Sequence, residues 1–150
     1  MLKQKVKNYL LYIEAFAFLA AARFLVVCFP FKLYSQFLGL SMRETSFYDC
    51  PDKNKTLKRV TWAVRKMSSF TLWESKCLDQ AIAALKMLER RGIESTLYLG
   101  TAKDQQGKFI AHAWLRSGSL YITGAEVMGD FTTVGRFAKQ IGKVMENSGT

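Results

Sequence analysis

From Tyr9 to Pro30 the chain reads YLLYIEAFAFLAAARFLVVCFP, apolar on every side of a helix except at Glu14 and Arg23. That run predicts one long helix, and Pro30 stops it, because proline and the residue before it leave the α region. A short amphipathic helix over roughly 31–38 follows, with Gly39 in the C-cap role. Residues 41–55 turn polar, and YDCPDKNK reads as a surface loop. Leu57, Val60, Trp62, Ala63, Val64 and Met67 then fall near helical spacing and predict a helix over about 56–67.

The next thirty residues, TLWESKCLDQAIAALKMLERRGIESTLYLG, carry the clearest pattern. Ser75 is placed to cap a helix on which Cys77, Ala81, Ala84, Leu85 and Leu88 share one face. Lys86, Arg90 and Arg91 sit near its C-terminal end, where cations complement the dipole, and Gly92 closes it. After Gly92 the period shortens. STLYLGTA, FIAHAWLR and LYIT are strand-type runs separated by the turn-forming KDQQGK and SGS. A turn at Ser117 and Gly118 would pair Arg116 with Ser119, Trp114 with Tyr121 and His112 with Thr123, stacking Trp114 on Tyr121. The tail reads as a last helix from about Arg136 to Met145. The whole is an α+β arrangement: a helical N-terminal region over 1–50, then a body over 51–150 in which a core helix packs on a small antiparallel sheet.

Composition narrows the function. The chain has 150 residues, 49% of them hydrophobic, enough for one cored domain. Lys and Arg number 22 against 12 Asp and Glu, a formal charge of +10 that favours acidic partners. The basic residues are scattered and no nucleic-acid motif accompanies them, so nucleic acid is not an expected partner. Cys28, Cys50 and Cys77 are odd in number and form no CxxC pair, which argues against a disulfide framework or zinc site and suits the reducing cytoplasm. The apolar opening, preceded by Lys3, Lys5 and Lys7, has the look of a membrane segment. Yet each charge held near a bilayer centre costs about 3 kcal/mol, and Glu14 and Arg23 lie too far apart to pair along one helix. Packing on the domain or a partner and contact with a membrane therefore both stay open.

Two residues stand out chemically. Cys77 lies in the first turn of the core helix, where the positive end of the dipole favours a thiolate. His112 is the only histidine, on a strand expected to pack against that helix. Either could be plain core, a small buried hydrophobe and a satisfied imidazole. Together they form the nucleophile and base arrangement of papain-like and transglutaminase-like sites.

The series W-x-x-x-C-L-x-x-A-I-A-A-L-x-x-L-x-R-R-G-I from Trp73, then L-x-L-G, A-H-A-W-L and I-T-G ending at Gly124, resembles the lasso-peptide biosynthesis B proteins, in their stand-alone leader-peptidase form. The resemblance covers about a third of the chain, and Pro30-Phe31 extends it. It implies a transglutaminase-like cysteine protease that removes the leader from a ribosomally made precursor and needs no metal, nucleotide or other cofactor. A small separate protein would present the leader, and an ATP-dependent macrolactam synthetase would act next. Cys77 would be the nucleophile and His112 its base. Where that family often carries an orienting aspartate, this chain has Gly124. Glu126 is the nearest downstream acid and Asp130 the next; a bulge at Gly124 could swing Glu126 towards the histidine, or Thr123 or a backbone carbonyl could orient the ring. The alternative is a non-catalytic binding module of the same fold, its triad lost at Gly124.

Overall fold

The computed structural model describes residues 2–71 and 77–141. Among the described residues there are four α-helices, α1 (Leu2–Cys28), α2 (Phe31–Tyr34), α3 (Pro51–Ser68) and α4 (Cys77–Arg90); α3 and α4 pack on a five-stranded sheet and α1 packs over both. The strands of the sheet are β1 (Leu40–Ser41), β2 (Ser95–Lys103), β3 (Phe109–Ser117), β4 (Leu120–Thr123) and β5 (Thr132–Lys139), in the order β1-β5-β2-β3-β4 with every pair antiparallel.

The α4 helix is buried nearly all round. Ala81, Ala84, Leu85 and Leu88 line the face that the spacing predicts, but Ile82, Ala83 and Met87 on its other sides are equally enclosed. The reason is that α1 and α3 pack over it while β3 lies beneath, and a helix apolar on all sides is stable only when it is enclosed. On α1, Leu11, Ala15, Leu19 and Ala22 form the packed stripe, large alternating with small so that the helices approach closely. The two charges within its apolar run, Glu14 and Arg23, also find partners in the domain. Glu14 meets Arg90 and Arg91 at 2.6 Å each, and Arg23 reaches the fully buried Asp79 at 3.7 Å. The two residues that cannot pair with each other along α1 are thus both satisfied across it, by α4. Described residues on both sides of position 50, from Leu11 to Phe137, contribute to one continuous core, and β1 joins the sheet through β5.

Three expectations need correction. The polar loop ends at Cys50, not near residue 55, because Pro51 opens α3: proline at the first helical position loses no hydrogen bond and brings its φ already set. The helix expected from about Arg136 does not begin there: Arg136 to Lys139 belong to a strand. Thr132, Thr133 and Val134 begin strand β5, whose β-branched residues suit the open edge of β2, and Phe137 and Ala138 are buried there. The second half of that expected helix lies outside the described residues, as do Trp73 and the proposed cap Ser75.

The hairpin register also differs. Ser117 pairs with Leu120, so Gly118 and Ser119 form the turn, with Gly118 at φ 59° as a two-residue hairpin turn requires. A bulge between Leu115 and Arg116 then sets Leu115 opposite Thr123. Trp114 consequently stacks not on Tyr121 but on Tyr98 of β2, at 5.7 Å and an interplanar angle of 10°. Beside them Arg116, 1% exposed, gives its five N–H groups to Tyr98 Oη, Ser46 O, Gly118 O, Thr45 O and Thr96 Oγ1, and lies 3.6 Å over the Phe47 ring. A buried guanidinium is tolerable only when its donors are all used, and here they fasten the 44–49 loop across the sheet face away from the helices.

Candidate active site

Cys77 begins α4, and its half-buried side chain lies against β3. The Ala113 N–H donates to Cys77 Sγ at 3.3 Å. That amide is free to do so because β4 pairs with β3 only from Leu115 to Ser117, leaving Ala113 beyond the end of the ladder. An N–H aimed at sulfur stabilises negative charge there, as does the N-terminal end of a helix. The sulfur is therefore one peptide unit from His112.

His112 projects from the sheet face that carries Tyr98, Trp114 and Arg116. Its imidazole lies between two rings, with Trp114 at 6.0 Å and Phe131 at 5.1 Å, centroid to centroid. Gly100, directly across on β2, makes room for both: a Cβ there would come within 2.8 Å of the Trp114 indole and 2.9 Å of Phe131 Cβ. The histidine Nε2 is 2.8 Å from the Gly124 carbonyl oxygen. A carbonyl can only accept, so Nε2 carries the proton, and in the neutral ring Nδ1 is left with the lone pair. This tautomer is assigned from the hydrogen bond.

The Gly124 carbonyl faces the ring because Gly124 is left-handed, at φ 73°, ending β4 and opening a short 3-10 helix over Ala125–Asp130. The position also has no room for a side chain. A Cβ on Gly124 would collide with the Ala113 carbonyl oxygen and stand 3.0 Å from Trp114 Cβ and 3.1 Å from His112 Nε2. Where an aspartate was expected, the geometry accommodates only a glycine, and its backbone takes up the contact with the imidazole.

Of the three sequence-derived candidates, the structure sets Cys77 against the Ala113 amide, next along β3 to His112, holds the His112 ring at the Gly124 carbonyl, and carries Glu126 elsewhere. The 3-10 helix turns Glu126 outward, where its Oε1 accepts from Arg65 of α3 at 3.2 Å, both side chains well exposed. Sequence reasoning missed Phe131 and Gly100. The signal for Gly100 was the break it makes in an otherwise bulky strand, which often marks a close approach; for Phe131 there was none.

A hollow of about 320 Å³ adjoins the site on the same sheet face, bounded by Trp114, Tyr98, Met128 and Gly129, with Glu44 and Arg136 at its rim. Among the described residues no three His, Cys, Asp or Glu side chains are grouped to hold a metal ion.

A protein-family model described as the transglutaminase-like superfamily matches residues 25–136, which take in α4, Cys77, His112, strands β1 to β4 and the first part of β5. The chain belongs to the transglutaminase-like superfamily. The match starts inside α1 and runs across residue 50, in keeping with the shared core. No curated protein and no solved structure gives a significant match. The α+β architecture, with helices over a small antiparallel sheet, is the one expected for a transglutaminase-like domain.

Proposed function

We propose that this transglutaminase-like protein is a cysteine peptidase that removes the leader from a lasso-peptide precursor. The observation that supports the catalytic part is a pair of contacts at neighbouring residues of β3, Ala113 N–H with Cys77 Sγ and His112 Nε2 with the Gly124 carbonyl. The lasso-peptide assignment rests on the sequence resemblance from Trp73 to Gly124.

In this reading His112 Nδ1 takes the thiol proton and the Cys77 sulfur adds to the scissile carbonyl carbon. The oxyanion faces the N-terminal end of α4, where the Cys77 amide and the helix dipole favour negative charge. As the C–N bond breaks, the proton on Nδ1 passes to the departing amine, which becomes the amino terminus of the core peptide. Water, deprotonated by the same nitrogen, splits the thioester, releases the leader as a carboxylate and restores the thiol. Throughout, the Gly124 carbonyl holds Nε2–H, so the imidazole keeps one tautomer and one orientation. The partners in this scheme are the precursor, a small leader-recognition protein and the macrolactam synthetase, all in the cytoplasm.

The test is incubation with a lasso precursor peptide, with and without the leader-binding protein, read by mass spectrometry. The wild-type chain should yield leader and core fragments, while Cys77→Ala and His112→Ala, folded by circular dichroism, should yield none. Cleavage retained by Cys77→Ala would defeat the assignment. A wild-type chain that binds precursor without cutting it would favour a non-catalytic binding module.

A further inference from the structure

The long α1 helix has two apolar faces and only one of them is used. Leu11, Ala15, Leu19 and Ala22 are packed against the domain, yet Leu10, Ile13, Phe24 and Val27 on the opposite side are each about 60% exposed. At 1.5 Å per residue the 27-residue helix is about 40 Å long, and by length and composition it could cross a membrane. Its geometry in the fold argues for a different placement. Glu14 and Arg23 are held by Arg90, Arg91 and Asp79, so a spanning helix would have to leave these ion pairs and its packed stripe behind.

From these observations we infer that α1 lies flat on an anionic membrane surface, its outward face among the acyl chains and the catalytic domain above. The outward positions from Leu10 through Ile13, Ala17, Ala21 and Phe24 to Val27 carry no hydrogen-bonding side chain. A protein partner would normally offer a polar group about every 100–200 Å² of interface, and beyond the Tyr9 hydroxyl at its start this strip has nothing to answer it. Hydrocarbon asks for nothing polar. At the start of the helix Lys5 and Lys7 flank the apolar face on either side, with Lys3 at its margin, all three exposed. Lysines so placed bury their methylene stems alongside the helix and present ammonium groups to lipid phosphates. The net charge of +10 acts in the same direction. This inference is independent of the peptidase reading, since it uses none of the site residues.

The experiment is flotation of the full chain with vesicles of phosphatidylglycerol and phosphatidylcholine, set against vesicles of phosphatidylcholine alone. The wild-type chain should float with the anionic vesicles and lose most of that binding between low and physiological salt. The double variant Ile13→Asp/Phe24→Asp changes only exposed positions and should keep its circular dichroism spectrum while binding at least about tenfold more weakly. Lys3→Gln/Lys5→Gln/Lys7→Gln should reduce binding to anionic vesicles alone. Failure of the wild type to float, equal binding to neutral vesicles, or undiminished binding by a folded Ile13→Asp/Phe24→Asp variant overturns the inference. So does a wild-type dimer that this variant converts to monomer in the absence of vesicle binding, since the face would then be covered by a second copy.

Discussion

His112 Nε2 and the carbonyl oxygen of Gly124 stand 2.8 Å apart, and that contact fills the place where a carboxylate would orient a catalytic histidine. A carbonyl fixes the tautomer as a carboxylate does but adds no full negative charge beside the imidazolium that the proposed mechanism forms. The ring is thus positioned by backbone geometry, and that geometry depends on a glycine in the left-handed region.

Substitutions at Gly124 and Glu126 should therefore part company. Gly124→Ala places a Cβ against the Ala113 carbonyl at φ 73°, which should cost about 1–3 kcal/mol of stability. By displacing the ring it should also lower kcat by about 100-fold. Glu126→Gln loses only an exposed ion pair with Arg65 and should change stability by under about 1 kcal/mol and kcat by less than about threefold. Thermal denaturation and turnover of the two variants side by side check this. A Glu126→Gln variant as impaired as Gly124→Ala would return the orienting role to the acid.

The Arg23 to Asp79 pair ties α1 to the first turn of the helix that carries Cys77. Asp79 is wholly buried, so Arg23→Met removes compensation from an enclosed charge and should destabilise the fold by about 3 kcal/mol. Adding Asp79→Asn removes the charge itself and should recover a large part of that loss. Urea unfolding of the two single variants and the double variant measures the coupling. Simple additivity would show that the pair contributes nothing.

Stability should fall steeply at high pH. Burial, aided by the hydrogen bond to Glu44, pushes the Tyr98 phenol up to about 12, and burial with the nearby Asp79 charge raises Tyr34 in the same direction. A raised phenol favours the folded state fully below its ordinary value near 10, and the advantage is lost as pH climbs from there through about 12. Melting temperature followed from pH 8 to 12 should drop across that window, and Tyr98→Phe should flatten the drop. An unchanged slope in Tyr98→Phe would place the titration elsewhere.

The elements that local pattern dictates were legible in the sequence. The stop at Pro30, the face of α4 from Ala81 to Leu88 and the three strand runs after Gly92 follow from periodicity and turn chemistry alone. What could not be read depends on distant partners. Thr132 to Lys139 forms a strand because β2 offers an open edge, and Glu14 and Arg23 are tolerated because α4 supplies their counterions. The placing of Cys77 against β3, at the Ala113 amide next to His112, could be anticipated because a helix followed by a strand sets it locally. The destination of Glu126 could not, because a single bulge at Leu115 and the left-handed turn at Gly124 decide which way the chain leaves β4.

In the proposed mechanism Cys77 is an activated nucleophile, and the chain contains its own controls: Cys28 and Cys50 are exposed, whereas Cys77 is partly covered. Exposure alone would make Cys77 the slowest to react. Timed alkylation with iodoacetamide at neutral pH, read by peptide mass spectrometry, should instead modify Cys77 at least about tenfold faster than the other two, and His112→Ala should abolish that lead. Labelling of Cys77 no faster than that of Cys28 and Cys50 would contradict the account.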